Sequence, residues 1–289
     1  MPLPSEPPVL MPDEGLVFDG HGFRLGIFDS GLGGLSILRA VRRALPRAAV
    51  TYVADSGHAP YGDRDERHVI VRSELITAFL LERGVDAVVV ACNTATAAAV
   101  HHLRARWPEL PVIGIEPGVK PAVQASVNKR IGVLATPVTL ASEKFALLIQ
   151  QHGAEGLIVQ QPCPGLAREI EHGELDTPAL RALVARFALP LLEAGVDTVA
   201  LGCTHYPLIE PLFRAALGPG VRVIDTSDAV ARQVARKAMD LQAGRPWLRP
   251  VAGGSPANTW LWSSGDPARL AALAHQWLGL SSTARVLPL

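Results

Sequence analysis

Apolar residues in this chain fall into short unbroken runs, LGIF, VTYVA, AVVVA, VIGI, IGVLA, LIV, TVAL and VRVI, separated by longer stretches of helical spacing. Short apolar runs bounded by Gly, Asp and Pro read as strands buried on both faces, and their alternation with helices predicts a parallel, doubly wound α/β sheet. Strands are expected at 24–29, 49–55, 111–116, 130–135, 157–160 and 221–225, and within 84–94 and 195–205. Helices are expected from Leu35 to Leu45, Glu66 to Arg83, Thr94 to Arg106, Leu140 to Gln151, Pro178 to Ala194 and Ser227 to Ala243, with a further one after HYPLI. SGHAPYGDR and QPCPGLAREIEHGELD read as loops. Beyond about residue 258 the pattern changes to strand (NTWLWSS), helix (PARLAALAHQWLG) and strand (TARVLPL), a tail expected to pack back on the first part of the chain.

The pattern repeats. GVDAVVVACNT at 84–94 returns as GVDTVALGCTH at 195–205, placing Cys92 and Cys203 111 residues apart, and RLGIFDS at 24 returns as RIGVLAT at 130, 106 residues on. Two matches at nearly one offset indicate a duplicated unit. The fold expected is therefore two similar doubly wound parallel-sheet lobes related by pseudo-symmetry; if the two copies face each other, the thiols flank one active-site cleft between them. Residues 24–116 with 226–289 form lobe 1 in this reading, and 117–225 form lobe 2. Residues 1–23, rich in proline and acids, read as a flexible tail without the features of a signal peptide.

Composition narrows the class. A 289-residue chain that is 48% hydrophobic and 19% charged has material for a substantial core. Its formal net charge is zero and it lacks a basic stripe with aromatics, which argues against nucleic acid. No apolar run reaches membrane-spanning length. Three cysteines, Cys92, Cys163 and Cys203, without CxxC, argue for a reducing compartment, so a cytoplasmic enzyme is expected.

Each strand bearing Cys92 or Cys203 ends at its cysteine, at the carboxyl edge where α/β sheets bind ligands. A lone cysteine in an apolar strand is ordinarily a small core residue. Two at matching positions of a repeat favour function. A thiol near a helix N-terminus is expected to have a lowered pKa and so to serve as a base. Two such groups flanking one carbon could remove a proton from one face and deliver one to the other, inverting a stereocentre. Lys120, Lys129, Lys144 and Lys237 read as solvated rather than as Schiff-base lysines, so the carbanion would be stabilised by backbone N–H groups and hydroxyls. Asp29 either caps the turn after its strand or exchanges protons with Cys92, and His205 is either structural or the partner of Cys203. Ser30, Asn93, Thr94 and Thr204 bring polar groups to the same edge. Cys163, between prolines, reads as a packed or partly exposed loop thiol. A zinc site of Cys92, Cys203 and His205 lacks the usual ligand spacing. GLGG is only a partial dinucleotide loop, because Ser36 stands where its third glycine would be.

At these residues the chain resembles the glutamate racemases of the aspartate/glutamate racemase superfamily, over about Arg24 to Arg232. The resemblance is carried by LGIFDSGLGGLS, APYGDR, ACNTATA, GIEPGVKPA, VLATPVTLAS, CPGLAREIEHG, LGCTHYPLI and IDTSDAVA. It implies cofactor-independent, metal-free interconversion of L- and D-glutamate, supplying D-glutamate for peptidoglycan. Carried over, Cys92 and Cys203 are the two acid/bases, Asp29 assists Cys92, and His205 with Glu171 assists Cys203. The substrate loops are Asp29–Ser30, Pro60–Tyr61–Gly62, Asn93–Thr94 and Thr204–His205. The pattern differs in having Asp55-Ser56-Gly57-His58 where the family often has Asp-Thr-Ala, and Phe145 for a tyrosine. The family often forms dimers, so a homodimer is allowed, though no interface patch is legible. The alternatives are an aspartate or related racemase, disfavoured by His205 where that group tends to have Glu, a one-thiol decarboxylase of the same fold, and a non-catalytic amino-acid-binding module.

Overall fold

The computed structural model describes residues 20–153, 156–172, 174–244 and 258–289. The expected N-terminal tail lies outside the described residues up to residue 19. After it, Gly20 to Phe23 form a turn, and Phe23 enters the core.

The chain builds two parallel sheets. In the first, β1 (Arg24–Asp29), β2 (Ala49–Ala54), β3 (Ala87–Val90) and β4 (Val112–Gly114) run in the order β2-β1-β3-β4. In the second, β5 (Arg130–Ala135), β6 (Leu157–Pro162), β7 (Thr198–Leu201) and β8 (Arg222–Ile224) run in the order β6-β5-β7-β8. The two orders are the same, so the sequence repeat is a repeat of topology. All pairings are parallel. β3 and β7 are buried at every position, which explains their unbroken apolar runs.

The repeated Gly-Val-Asp has a backbone reason. α2 (Glu66–Glu82) and α8 (Pro178–Glu193) must each turn sharply into the next strand. Gly84 (φ +67°) and Gly195 (φ +65°) make that turn in the left-handed region open to glycine. The aspartate that follows starts the ladder, with Asp86 N–H donating to Arg24 O and Asp197 N–H to Arg130 O. At the far end Ala91 N–H donates to Phe28 O and Gly202 N–H to Leu134 O, both at 2.7 Å. These bonds set Cys92 and Cys203 just beyond the sheet edge.

The remaining helices cover the sheet faces: α1 (Leu35–Ala44), α3 (Asn93–Arg106), α9 (Glu210–Leu217) and α10 (Ser227–Ala243), the last packed on α1. β9 (Thr259–Ser263) pairs with β2, and after α11 (Pro267–Leu278) β10 (Ala284–Val286) pairs with β9, widening the first sheet to six strands.

Four expectations change. The strand expected over 111–116 is only the three residues of β4, and a helix not foreseen, α4 (Val119–Ala125), follows. Pro121 is harmless there because it lies in the first turn, where an N–H has no helical partner. The helix expected from Leu140 is two, α5 (Pro137–Ala141) and α6 (Glu143–His152), because Thr136 and Ser142 each cap a start, accepting from Thr139 N–H and Phe145 N–H. SGHAPYGDR contains two 3₁₀ turns, at Ser56–His58 and Tyr61–Asp63. QPCPGLAREIEHGELD extends β6 and then forms α7 (Leu166–His172), because Leu166, Ala167 and Ile170 share a buried face. No helix among the described residues is long and apolar enough to cross a membrane.

Candidate active site

The carboxyl edges of the two sheets face each other, and the thiols end the equivalent strands β3 and β7. Cys92 is 5% exposed and Cys203 7%, so both are almost sealed between the lobes. Cys92 caps α3: its Sγ accepts from Ala95 N–H at 3.4 Å and donates to Ser30 Oγ at 3.6 Å. The expected lowering of its pKa by the helix N-terminus is reversed. Burial pushes the thiol up to about 12, the Asp29 carboxylate adds to this, and the Ala95 amide and Ser30 hydroxyl offset only part. At neutral pH Cys92 is therefore a protonated thiol. Cys203 precedes a 3₁₀ turn, Tyr206–Ile209, so it lies at no α-helix N-terminus.

Asp29 is fully buried on β1, which pairs with β3. Its Oδ2 accepts from Gly31 N–H (3.2 Å) and Gly34 N–H (2.9 Å), and its Oδ1 accepts from Thr204 Oγ1 (3.2 Å) in the other lobe. It therefore caps the turn, as one of the two sequence readings has it, and also faces the cleft. Burial raises its pKa to about 6, against the pull of His205 and with a push from Glu171.

On the other side the side chains form a line. His205 Nδ1 lies 3.9 Å from Cys203 Sγ, and its Nε2 is 2.7 Å from Glu171 Oε2. Burial opposes charge on His205, but hydrogen bonds and charge from Cys203 and Glu171 hold its pKa well above 6.5. Burial would raise Glu171, yet the His205 hydrogen bond and charge, with the Leu32 amide and Ser56 hydroxyl, bring it below its ordinary value. The pair is an imidazolium and a carboxylate, removed from water and hydrogen-bonded.

Thr94 Oγ1 lies 3.3 Å from Thr136 Oγ1 across the cleft, and Asn93 Oδ1 is buried without a protein partner. Thr136 is a site residue that the motif reading passed over, although it stands where the repeat puts the counterpart of Ser30, directly after β5. The Tyr61 hydroxyl is committed to Asp55 Oδ2 (2.6 Å), which Arg72 also grips through both carboxylate oxygens (2.9 and 2.7 Å). That buried set fixes Pro60 to Gly62, and Gly62 lies against Thr136 so closely that an added Cβ would stand 3.2 Å from it. The GLGG turn offers no phosphate cradle, because the Gly31, Leu32 and Gly34 amides are taken up by Asp29 and Glu171. Cys163 is buried, not exposed, and its Sγ donates to Gln161 O. Among the described residues no group of three or more His, Cys, Asp or Glu is disposed to hold a metal.

A duplicated α/β chain with paired cleft thiols meets its relatives here. The sequence profile described as Asp/Glu/Hydantoin racemase matches residues 34–234. The chain belongs to that family. The glutamate racemase of Ectopseudomonas mendocina is 47% identical over 257 residues, covering 88% of this chain and 94% of that one. Among solved structures, a glutamate racemase isoform of Bacillus anthracis superposes with a TM-score of 0.81 at 30% identity, covering 93% of this racemase-family chain and 98% of its own. The glutamate racemase of Escherichia coli, solved with L-glutamate and the activator UDP-MurNAc-ala, gives 0.78 at 29% identity, with 92% and 98% covered.

Proposed function

We propose that this enzyme interconverts L- and D-glutamate without a cofactor, with Cys92 and Cys203 acting on opposite faces of the α-carbon. The observation that carries this reading is that each thiol has its own polar support: Asp29 and Ser30 beside Cys92, His205 backed by Glu171 beside Cys203. One thiolate takes the α-proton while the opposite thiol delivers its own, and the roles exchange for the reverse direction. A protonated Cys92 is ready to be the donor. The His205 imidazolium favours a substrate that carries carboxylates, and the Asp29 carboxylate favours one with an ammonium. Ser30, Asn93, Thr94, Thr136 and the Pro60–Gly62 backbone complete the proposed pocket.

The lobes in this proposal are residues 24–116 with 226–289, and residues 117–225. Both thiols come from one chain, so a homodimer is compatible with the chemistry but not required. The physiological role in this proposal is cytoplasmic supply of D-glutamate for peptidoglycan. The test is incubation of the purified protein with L-glutamate, and separately L-aspartate, in D₂O without added cofactor. Proton NMR follows loss of the α-hydrogen and circular dichroism follows inversion. Exchange and inversion of glutamate alone is expected. Activity on aspartate alone would change the substrate and keep the mechanism; inactivity on both would leave an amino-acid-binding module.

A further inference from the structure

Glu171 belongs to α7, between β6 and β7 of the second sheet, yet two of its three hydrogen bonds reach the other lobe. Its Oε1 accepts from Ser56 Oγ at 2.7 Å and its Oε2 from Leu32 N–H at 2.8 Å, while Oε2 also meets His205 Nε2. The first lobe makes room by omitting side chains. A Cβ on Gly31 would stand 2.3 Å from Glu171 Oε2, and one on Gly33 would stand 2.6 Å from His205 Nδ1. Neither glycine has positive φ. The turn's own backbone therefore does not call for them; the approach of the opposite lobe does. One turn earlier on α7, Arg168 forms an ion pair with Asp63 beside the Pro60–Gly62 loop.

The supports of the two thiols thus differ in origin. Asp29, Ser30 and the Ala95 amide lie in the same lobe as Cys92. His205 and Glu171 lie with Cys203, but Glu171 is seated by Ser56 and Leu32 from across the cleft. If the lobes separate, those two donors are lost, water reaches the carboxylate, and its hold on His205 is screened.

We infer that Ser56 is a positioning residue for the Cys203 half of the reaction: with the Leu32 amide it seats Glu171 against the first lobe, so the Glu171–His205–Cys203 line is completed only when the lobes close. This rests on the racemase reading above. The test is Ser56→Ala, with Ser56→Thr as the variant that keeps a hydroxyl and Gly31→Ala as an independent obstruction of the same seat. Enantiomers have an equilibrium constant of one, so kcat/KM must fall by the same factor in both directions; loss of one hydrogen bond to a charged group should lower it about tenfold. The diagnostic readout is α-hydrogen exchange against inversion in D₂O, for L- and D-glutamate separately. In Ser56→Ala and Gly31→Ala, the enantiomer deprotonated by Cys92 should exchange faster than it inverts: while the carbanion waits on the slow transfer at Cys203, the Cys92 S–H trades its proton for solvent deuterium, and return from Cys92 gives labelled, uninverted substrate. Ser56→Thr should restore the wild-type ratio. Wild-type ratios for both enantiomers in Ser56→Ala, or failure of Ser56→Thr to rescue, would overturn the inference. A wild-type protein inert toward glutamate would instead remove the racemase reading and this one with it, and the wild-type control tells the two failures apart.

Discussion

Asp29 should make the ligand-free protein less stable as the pH rises, and replacing it should remove that penalty. Burial raises its carboxyl from 3.8 to about 6. The native state therefore holds this proton more tightly than the unfolded chain does. The stabilisation is fully present below pH 3.8 and is lost as pH rises through about 6. At about 1.36 kcal/mol per pH unit, the rise from 3.8 to about 6 amounts to about 3 kcal/mol lost by pH 8. About half of this is already gone at pH 5, leaving the other half to be lost between pH 5 and 8. Asn carries no such charge and fits the same bonds: its carbonyl can take the Gly31 and Gly34 amides, and its NH₂ can donate to Thr204 Oγ1. Asp29→Asn should therefore be more stable than wild type at pH 8, with an advantage smaller at pH 5 by about half of the 3 kcal/mol. Urea unfolding of both proteins at the two pH values, with equal m-values, measures this. An advantage that stays constant, or shrinks toward pH 8, would refute the reasoning. The same variant should lose most racemisation, so the charge that costs stability is the one the cleft needs.

Cys92→Ser and Cys203→Ser should each abolish racemisation, because a hydroxyl is too weak an acid/base at that position; circular dichroism of glutamate at equal protein concentrations checks this, and wild-type rate in either would exclude the two-thiol mechanism. Cys203 and Glu171 together hold the His205 pKa well above 6.5, so the stability the His205 imidazolium adds is full below 6.5 and fades as pH rises through the raised value. Glu171→Gln should therefore move the alkaline limb of the kcat/KM profile to lower pH, and an unmoved limb would count against the relay. Arg72→Met leaves Asp55 buried without its ion-pair partner and should cost about 3–5 kcal/mol in urea unfolding. Arg72→Lys should recover only part of this, since an ammonium cannot grip both oxygens as the guanidinium does, and a loss below about 1 kcal/mol in Arg72→Met would contradict the role assigned to the pair.

Much of this molecule was legible in the chain alone. Apolar runs with period-free burial marked β3 and β7, the repeat put Cys92 and Cys203 at equivalent strand ends, and glycine with aspartate before each run marked the turn and the first ladder bond. These are local rules: backbone geometry and burial on two faces restrict which residues can stand there, so the residues report the geometry. Where local signals competed, the reading slipped, as at Pro121 within α4, Ser142 between α5 and α6, and the helix α7 inside a Gly- and Pro-rich stretch. What only the tertiary structure decided was how groups distant in sequence share one dry cleft. The helix N-terminus at Cys92 suggested a lowered pKa, but burial beside Asp29 raised it, because desolvation depends on everything packed around the sulfur. Ser56 and Thr136 carry no special mark as single residues; their places follow from two lobes meeting, as do the bare positions Gly31 and Gly33. A sequence states which side chain each strand end carries, and the approach of one lobe to the other determines the charge those side chains hold.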